Sequence, residues 1–320
     1  MSLSGHEEAW REWHAAMTSS RMHHAWILAG LRGIGKACFA RDAAAELVAE
    51  AGIPQPSVAA HPDIITLDHL PANDDEEKKR AEGKPFQTKR NITIDQIRRM
   101  QQRLFTRPTL GSRRVIIIDP ADDMEKGAVN ALLKSLEEPP VGTFFLLVAH
   151  RPGRLLPTIR SRCRMLRFAP LGASEVSQIL ARQAPEADAE TRAAAVAAAE
   201  GSPGMALAFV GQELGPLHQL MLRLLREGDE SFALRGALAE EIGTRPDRER
   251  MQAAVELARA VLAAELGLAP RKRQGQIIEA HGGLVRLGGQ LPTYNFDPGL
   301  AVMEIGGLLA SAAMPREVAI

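Results

Sequence analysis

The stretch Gly30-Leu31-Arg32-Gly33-Ile34-Gly35-Lys36-Ala37 carries the glycine spacing and the late lysine of a phosphate-binding loop. Glycines let successive backbone N–H groups curl around phosphate oxygens. The helix start that follows adds positive potential, and Lys36 would reach the outer phosphates. The final position is Ala37, where Ser or Thr ordinarily ligates magnesium, so a metal–nucleotide complex would lose a ligand there. A second run, Val115-Ile116-Ile117-Ile118-Asp119, ends in a carboxylate that could hold magnesium through water. A hydrolase of this kind places Glu next, to polarise the attacking water, and here the residue is Pro120. Asp122 and Asp123 lie two and three residues beyond Pro120 and are expected to cap the following helix. The residues therefore provide for phosphate binding better than for hydrolysis. They leave open whether the loop still takes a phosphate, and a self-contained ATPase using Lys36 and Asp119 stands as the alternative.

These groups need a scaffold. Short apolar runs at Trp26–Ala29, Ile64–Leu67, Val115–Ile118, Phe144–Ala149 and Met165–Phe168 lack polar alternation, as strands buried on both faces of a parallel sheet do. Helical patterns at Lys36–Glu50, Thr93–Leu104 and Glu125–Glu137 lie between them, the last stopped by Pro139-Pro140. Such alternation predicts a doubly wound α/β domain over residues 1–170. Asn73–Arg90 interrupts it with a run of acidic then basic residues, expected to be a solvated, mobile loop or, failing that, a charged contact surface. From Leu171 the pattern is helical. Helices are expected at Ser174–Gln183, Ala187–Glu200 and Met205–Val210, with Gly201-Ser202-Pro203-Gly204 as a break. Longer ones follow from about residue 213 at Leu217–Arg226, Pro246–Leu266, Gln274–Leu287 and Pro298–Ala312. In Pro246–Leu266 the apolar positions Met251, Val255, Ala258, Leu262 and Leu266 mark one buried stripe, with Pro246 in the first turn and Gly267 at the stop.

Composition narrows the class. The 320 residues carry 39 Lys+Arg against 39 Asp+Glu, which excludes a globally basic nucleic-acid binder but not a local basic face. No apolar run approaches the ~18 residues of a membrane span, and the polar start has no signal-peptide core, so a cytoplasmic location is expected. Two cysteines, Cys38 and Cys163, cannot build a disulfide framework or a cysteine-rich zinc site.

Beyond Pro120 the chain reads Asn130-Ala131-Leu132-Leu133-Lys134-Ser135-Leu136-Glu137-Glu138-Pro139-Pro140, then a strand, then Leu155-Leu156-Pro157-Thr158-Ile159-Arg160-Ser161-Arg162-Cys163. This succession resembles the clamp-loader branch of the AAA+ ATPases, the loader subunits of bacterial DNA polymerase III in particular. His24-Ala25-Trp26, His61-Pro62-Asp63, Gly201–Gly204 and Asn295-Phe296-Asp297-Pro298 fit the same pattern.

The resemblance implies a RecA-like AAA+ parallel-sheet domain (1–170), a helical lid (171–212) and an all-helical collar (213–320) that joins subunits in a ring. It implies the member of that ring that does not hydrolyse ATP, with Arg162 acting in trans as an arginine finger in a neighbour's ATP site. Gly30, Gly33, Gly35, Lys36, Ala37 and Asp119 would then be a degenerate nucleotide site, with no cofactor required. The lid arginine that senses γ-phosphate in active loaders is replaced by Gly204, and the polar sensor of the fourth strand by Ala149-His150, whose ring is expected to bond the backbone. Residues 50–63 hold none of the cysteines of the family's zinc module, so no zinc is expected. The implied partners are the motor (gamma/tau) and delta subunits, with the sliding clamp and primer–template DNA met through the assembly. Arg98, Arg99 and Arg103 lie on the helix that would face the DNA chamber, although a basic face suits solvent equally well. Cys163 is expected to pack rather than react.

Overall fold

The computed structural model describes residues 5–19, 21–291 and 297–314. Of the Asn295–Pro298 turn, Asn295 and Phe296 lie outside the described residues. The chain divides into two compact units, residues 1–170 and 171–320.

The first unit is built on a parallel sheet of β1 (Ala25–Ala29), β2 (Ile64–Leu67), β3 (Arg114–Ile118), β4 (Thr143–Ala149) and β5 (Arg164–Arg167), in the order β2-β3-β4-β1-β5. All five residues of β1 and of β3 are buried, as unbroken apolar runs require when helices cover both faces. One face packs with α4 (Ile94–Leu104) and α5 (Lys126–Glu137) through Ile97, Met100, Leu132 and Leu136. The other packs with α2 (Lys36–Val48) through Phe39, Ala40, Ala43 and Leu47. Thr93 starts α4 with its backbone N–H held by the Gln96 side chain at 3.0 Å. The chain leaves β1 through α2 and returns at the far edge of the sheet, skipping β4 and β3. That makes the carboxyl end of β1 a topological switch point, the place where open α/β sheets bind ligands.

Four elements depart from expectation. The polar N-terminal segment forms helix α1 (Glu7–Met17), because Ala9, Trp13 and Ala16 recur at three- and four-residue spacing and all are buried. The charged insertion is folded rather than a mobile loop. Helix α3 (Asp74–Ala81) is capped by Asn73, whose Oδ1 accepts from Asp75 and Glu76 N–H at 3.1 and 3.0 Å. Its acids fall in the first turn and its bases in the last, which matches the helix dipole. Glu76, only 8% exposed, accepts from Gln87 N–H at 2.6 Å, and Lys89 N–H bonds Leu70 O at 2.6 Å, closing the insertion on itself. Asp122 and Asp123 do not cap α5; they lie in a 3-10 turn (Ala121–Asp123) and bond elsewhere. A short helix, α6 (Pro157–Arg160), precedes Ser161-Arg162-Cys163.

The second unit is helical throughout: α7 (Ala173–Gln183), α8 (Ala189–Ala198), α9 (Pro203–Gly211), α10 (Gly215–Glu227), α11 (Ala233–Ile242), α12 (Arg248–Leu266), α13 (Arg271–Gln290) and α14 (Pro298–Ser311). One continuous core runs from Val176 and Phe209 to Leu284 and Leu309. α12 starts later than expected, since Asp247 caps it by accepting from Arg250 N–H at 2.7 Å, and Pro246 lies outside. Its buried surface is also wider than one stripe: Ala253, Ala254, Leu257, Ala260 and Val261 are buried beside the expected positions. Small alanines let neighbouring helices approach it from several sides. α11 lies outside the expected helices, although Leu234, Leu238 and Ile242 recur every four residues along it and pack on the core.

Candidate functional site

The phosphate loop leaves β1 and enters α2 at the carboxyl edge of the sheet. Gly33 (φ 75°) and Gly35 (φ 107°) occupy the left-handed region that side chains resist, and Gly35 opens α2. Gly30 is required by closeness: a Cβ there would lie 2.7 Å from the Phe168 carbonyl oxygen. Two further contacts fix the loop. Gly30 N–H bonds Ala149 O at 3.3 Å, and the His6 ring Nε2 lies 2.7 Å from Ile34 O. His6 is buried against Phe168, ring centroids 5.0 Å apart. Nothing in the polar run around His6 marked it as a support of this loop.

Lys36 is 2% exposed and its Nζ donates to Gly30 O at 2.8 Å and Leu31 O at 2.5 Å. The ammonium thus spans its own loop. Burial pulls its pKa down to about 8, against the attraction of Asp119 and Asp122. Asp119, at the end of β3, is moved the opposite way: burial raises it, with Lys36 and Arg41 opposing. The two are close enough to couple, so Lys36 and Asp119 are brought together as expected of a nucleotide site. Ala37, half-buried at the start of α2, adds only a methyl group.

The carboxylates beyond Asp119 are already engaged. Asp122 accepts from the backbone N–H groups of His150 and Arg151, each at 3.0 Å, and its side chain is 1% exposed. It therefore ties the end of β4 to the end of β3. Asp123 lies 3.4 Å from His69 Nε2; burial opposes its ionisation, but His69 holds its pKa below the ordinary carboxylate range. The expectation for His150 is corrected: its main chain, not its ring, makes the bond. The ring Nδ1 is buried without a hydrogen-bond partner among the described residues, and burial with nearby Lys36 and Arg32 drives its pKa to about 3. His150 is thus a neutral ring at the edge of the cradle.

Arg162 belongs to the other edge. It precedes β5, whose Arg164 is in register with Trp26 near the start of β1. β1 is five residues long, so the phosphate loop begins roughly 17 Å away along the strands at ~3.3 Å per residue. Its guanidinium pairs with Glu137 at 2.6 Å and donates to Thr158 O at 2.9 Å. Cys163 behind it packs against the core, and burial pushes its thiol up to about 12. On α4, Arg98 and Arg99 are exposed; Arg98 lies 3.7 Å from Asp95, while Arg103 donates to Pro62 O at 2.6 Å. Gly204 lies in the first turn of α9 in the second unit, where it offers no side chain to a nucleotide. Among the described residues no group of three or more His, Cys, Asp or Glu is placed to hold a metal ion, and no helix is long and apolar enough to cross a membrane.

A parallel sheet ordered β2-β3-β4-β1-β5, with a glycine-rich phosphate loop leaving β1 and an acid ending β3, is the RecA-like domain of an AAA+ protein. Residues 5–172 match the family described as DNA polymerase III, delta subunit, and the chain belongs to that family. The subunit delta' of DNA polymerase III from Pseudomonas aeruginosa is 35% identical over 205 residues, covering 59% of this chain and 56% of that one. Its counterpart from Escherichia coli is 30% identical over 206 residues, covering 61% and 57%. These matched stretches span little more than half the length of those relatives. Among solved structures, a DNA polymerase III gamma subunit-related protein from Thermotoga maritima is 19% identical with a TM-score of 0.45, covering 94% of this chain and 98% of that one.

Proposed function

We propose that this chain is the delta'-like, non-hydrolysing subunit of a replicative clamp loader. In this reading it assembles with motor (gamma/tau) and delta subunits, supplies Arg162 in trans to a neighbour's ATP, and helps place the sliding clamp on primed DNA. Residues 171–212 would serve as its lid and 213–320 as its collar. The observation that carries the reading is the separation of Arg162 from Lys36 and Asp119 across one sheet. Opposite edges of a parallel sheet cannot serve one phosphate, so Arg162 can act on a triphosphate only if another chain presents it. A guanidinium so used offers a planar, bidentate charge that Lys cannot copy.

The competing reading, hydrolysis by this chain alone, needs a carboxylate to polarise water. Asp122 is spent on two backbone N–H groups and Asp123 on His69, Pro120 has no acid–base group, and Ala37 has no hydroxyl. Family membership at 30–35% identity with subunits named delta' favours the first reading.

Steady-state ATP hydrolysis by the purified chain tests it. A rate far below ~1 s⁻¹, the low end of ordinary enzyme turnover, is expected, and brisk turnover abolished by Lys36→Ala would overturn the proposal. In the reconstituted loader, Arg162→Ala should leave assembly intact and slow the neighbouring site by roughly 10³-fold or more, the range of trans arginines. Lys36→Ala should leave loading nearly unchanged.

A further inference from the structure

The two most specific stretches of the sequence, Leu136–Pro140 and Ser161–Cys163, touch through one ion pair. Arg162 Nη2 lies 2.6 Å from Glu137 Oε1, while Nη1 donates to Thr158 O at 2.9 Å and Ser161 Oγ at 3.4 Å. Both terminal nitrogens are therefore held, one by α5 and one by α6. The side chains remain 35% and 48% exposed, so one flank of the guanidinium still faces outward. Glu137 is itself on a fixed support. It is the last residue of α5, Leu136 beside it is buried, and the Leu136 carbonyl lies 2.9 Å from the His24 ring Nε2 at the entry to β1. The carboxylate is thus anchored to the sheet at the edge that carries Arg162.

We propose that Glu137 is the positioning residue of the trans arginine. It fixes the rotamer of Arg162 and keeps its charge paired until a neighbour's phosphate takes the outward flank. The inference rests on the reading of Arg162 given above. Its physical basis is pre-organisation: an arginine carries large rotamer freedom, and what is frozen before assembly is not lost at the transition state. A pair this exposed adds little to folding, so its effect is expected in catalysis by the neighbour rather than in stability.

The test uses the full chain reconstituted with its motor and delta subunits. Glu137→Ala should lower kcat of clamp- and DNA-stimulated ATP hydrolysis about fivefold, the effect of one modest polar contact, with KM for ATP and the melting temperature unchanged. Glu137→Gln should restore most of the rate, because an amide oxygen can accept the same N–H. Combined with Arg162→Ala, Glu137→Ala should have no further effect. If Glu137→Ala keeps full turnover, or costs the same with and without Arg162, the inference falls while the trans arginine stands. If Arg162→Ala itself is without effect, the reading beneath it falls instead.

Discussion

The Lys36 ammonium donates to the Gly30 carbonyl 2.8 Å away, so the residue that would meet a phosphate is bonded to the loop that would wrap it. With Leu31 O as its second acceptor and 2% exposure, Lys36 is a buried cation held by neutral carbonyls, with Asp119 and Asp122 attracting it from nearby. A cradle closed by its own lysine must give up these bonds to admit an anion.

Burial of Lys36 makes stability depend on pH. Its pKa falls from the ordinary 10.5 to about 8 in the folded chain. Between these values the unfolded chain binds more protons, so stability rises with pH across that window. The penalty is complete below about pH 8 and absent above about 10.5, and about 2.5 pH units correspond to ~3 kcal/mol at most. Urea unfolding of the native chain and of Lys36→Met from pH 7.5 to 10.5 measures it. The native chain should gain stability relative to the variant as pH rises, and parallel curves would refute the assignment.

Asp122 has a larger structural role than its place in the sequence suggests. Its carboxylate accepts two backbone N–H groups at 3.0 Å and faces Arg151 Nε at 3.8 Å. Asp122→Ala strands two buried donors, at a cost of ~3 kcal/mol. Asp122→Asn should do little better, because its amide NH2 would point at one of the two donors. Thermal unfolding should show both variants well below the native chain; a native-like Asn variant would show that one acceptor suffices.

What the sequence disclosed follows from the range of each interaction. The central strands β1, β3 and β4 were legible because burial on both faces leaves a nearly unbroken apolar run. The edge strands β2 and β5 were legible only from shorter apolar runs broken by exposed residues, and the phosphate loop because glycine at Gly33 and Gly35 answers a local backbone need. The common placement of Lys36 and Asp119 was likewise visible, since both follow the carboxyl ends of parallel strands on one edge of the sheet. Contacts made across long separations were not legible. His6 under Ile34, Asp122 on the His150 main chain and Glu137 on Arg162 each join residues 25 or more apart whose types alone fit a solvated surface equally well. The Asn73–Arg90 insertion misled for a related reason: eleven charges suggest solvent, but their order along the segment, acids first and bases last, suits a capped helix.

That insertion offers the plainest test of order against mobility. It carries Lys78, Lys79, Arg80, Lys89 and Arg90, five sites for trypsin, while Lys84 is shielded by Pro85. A mobile loop of this composition would be cut at once. Here the helix bonds of α3, the Asn73 cap, the Gln87 N–H on Glu76 and the Lys89 N–H on Leu70 O hold the backbone out of the extended form a protease needs. Native-state trypsin digestion followed by mass spectrometry should find these sites protected relative to the urea-unfolded chain. Glu76→Ala removes the acceptor for Gln87 N–H and a partner of Lys79 at 2.7 Å, so cleavage within 78–90 should accelerate about tenfold with other sites unaffected. Cleavage in the native chain as fast as in urea, or indifference to Glu76→Ala, would return the segment to the mobile loop its composition suggested.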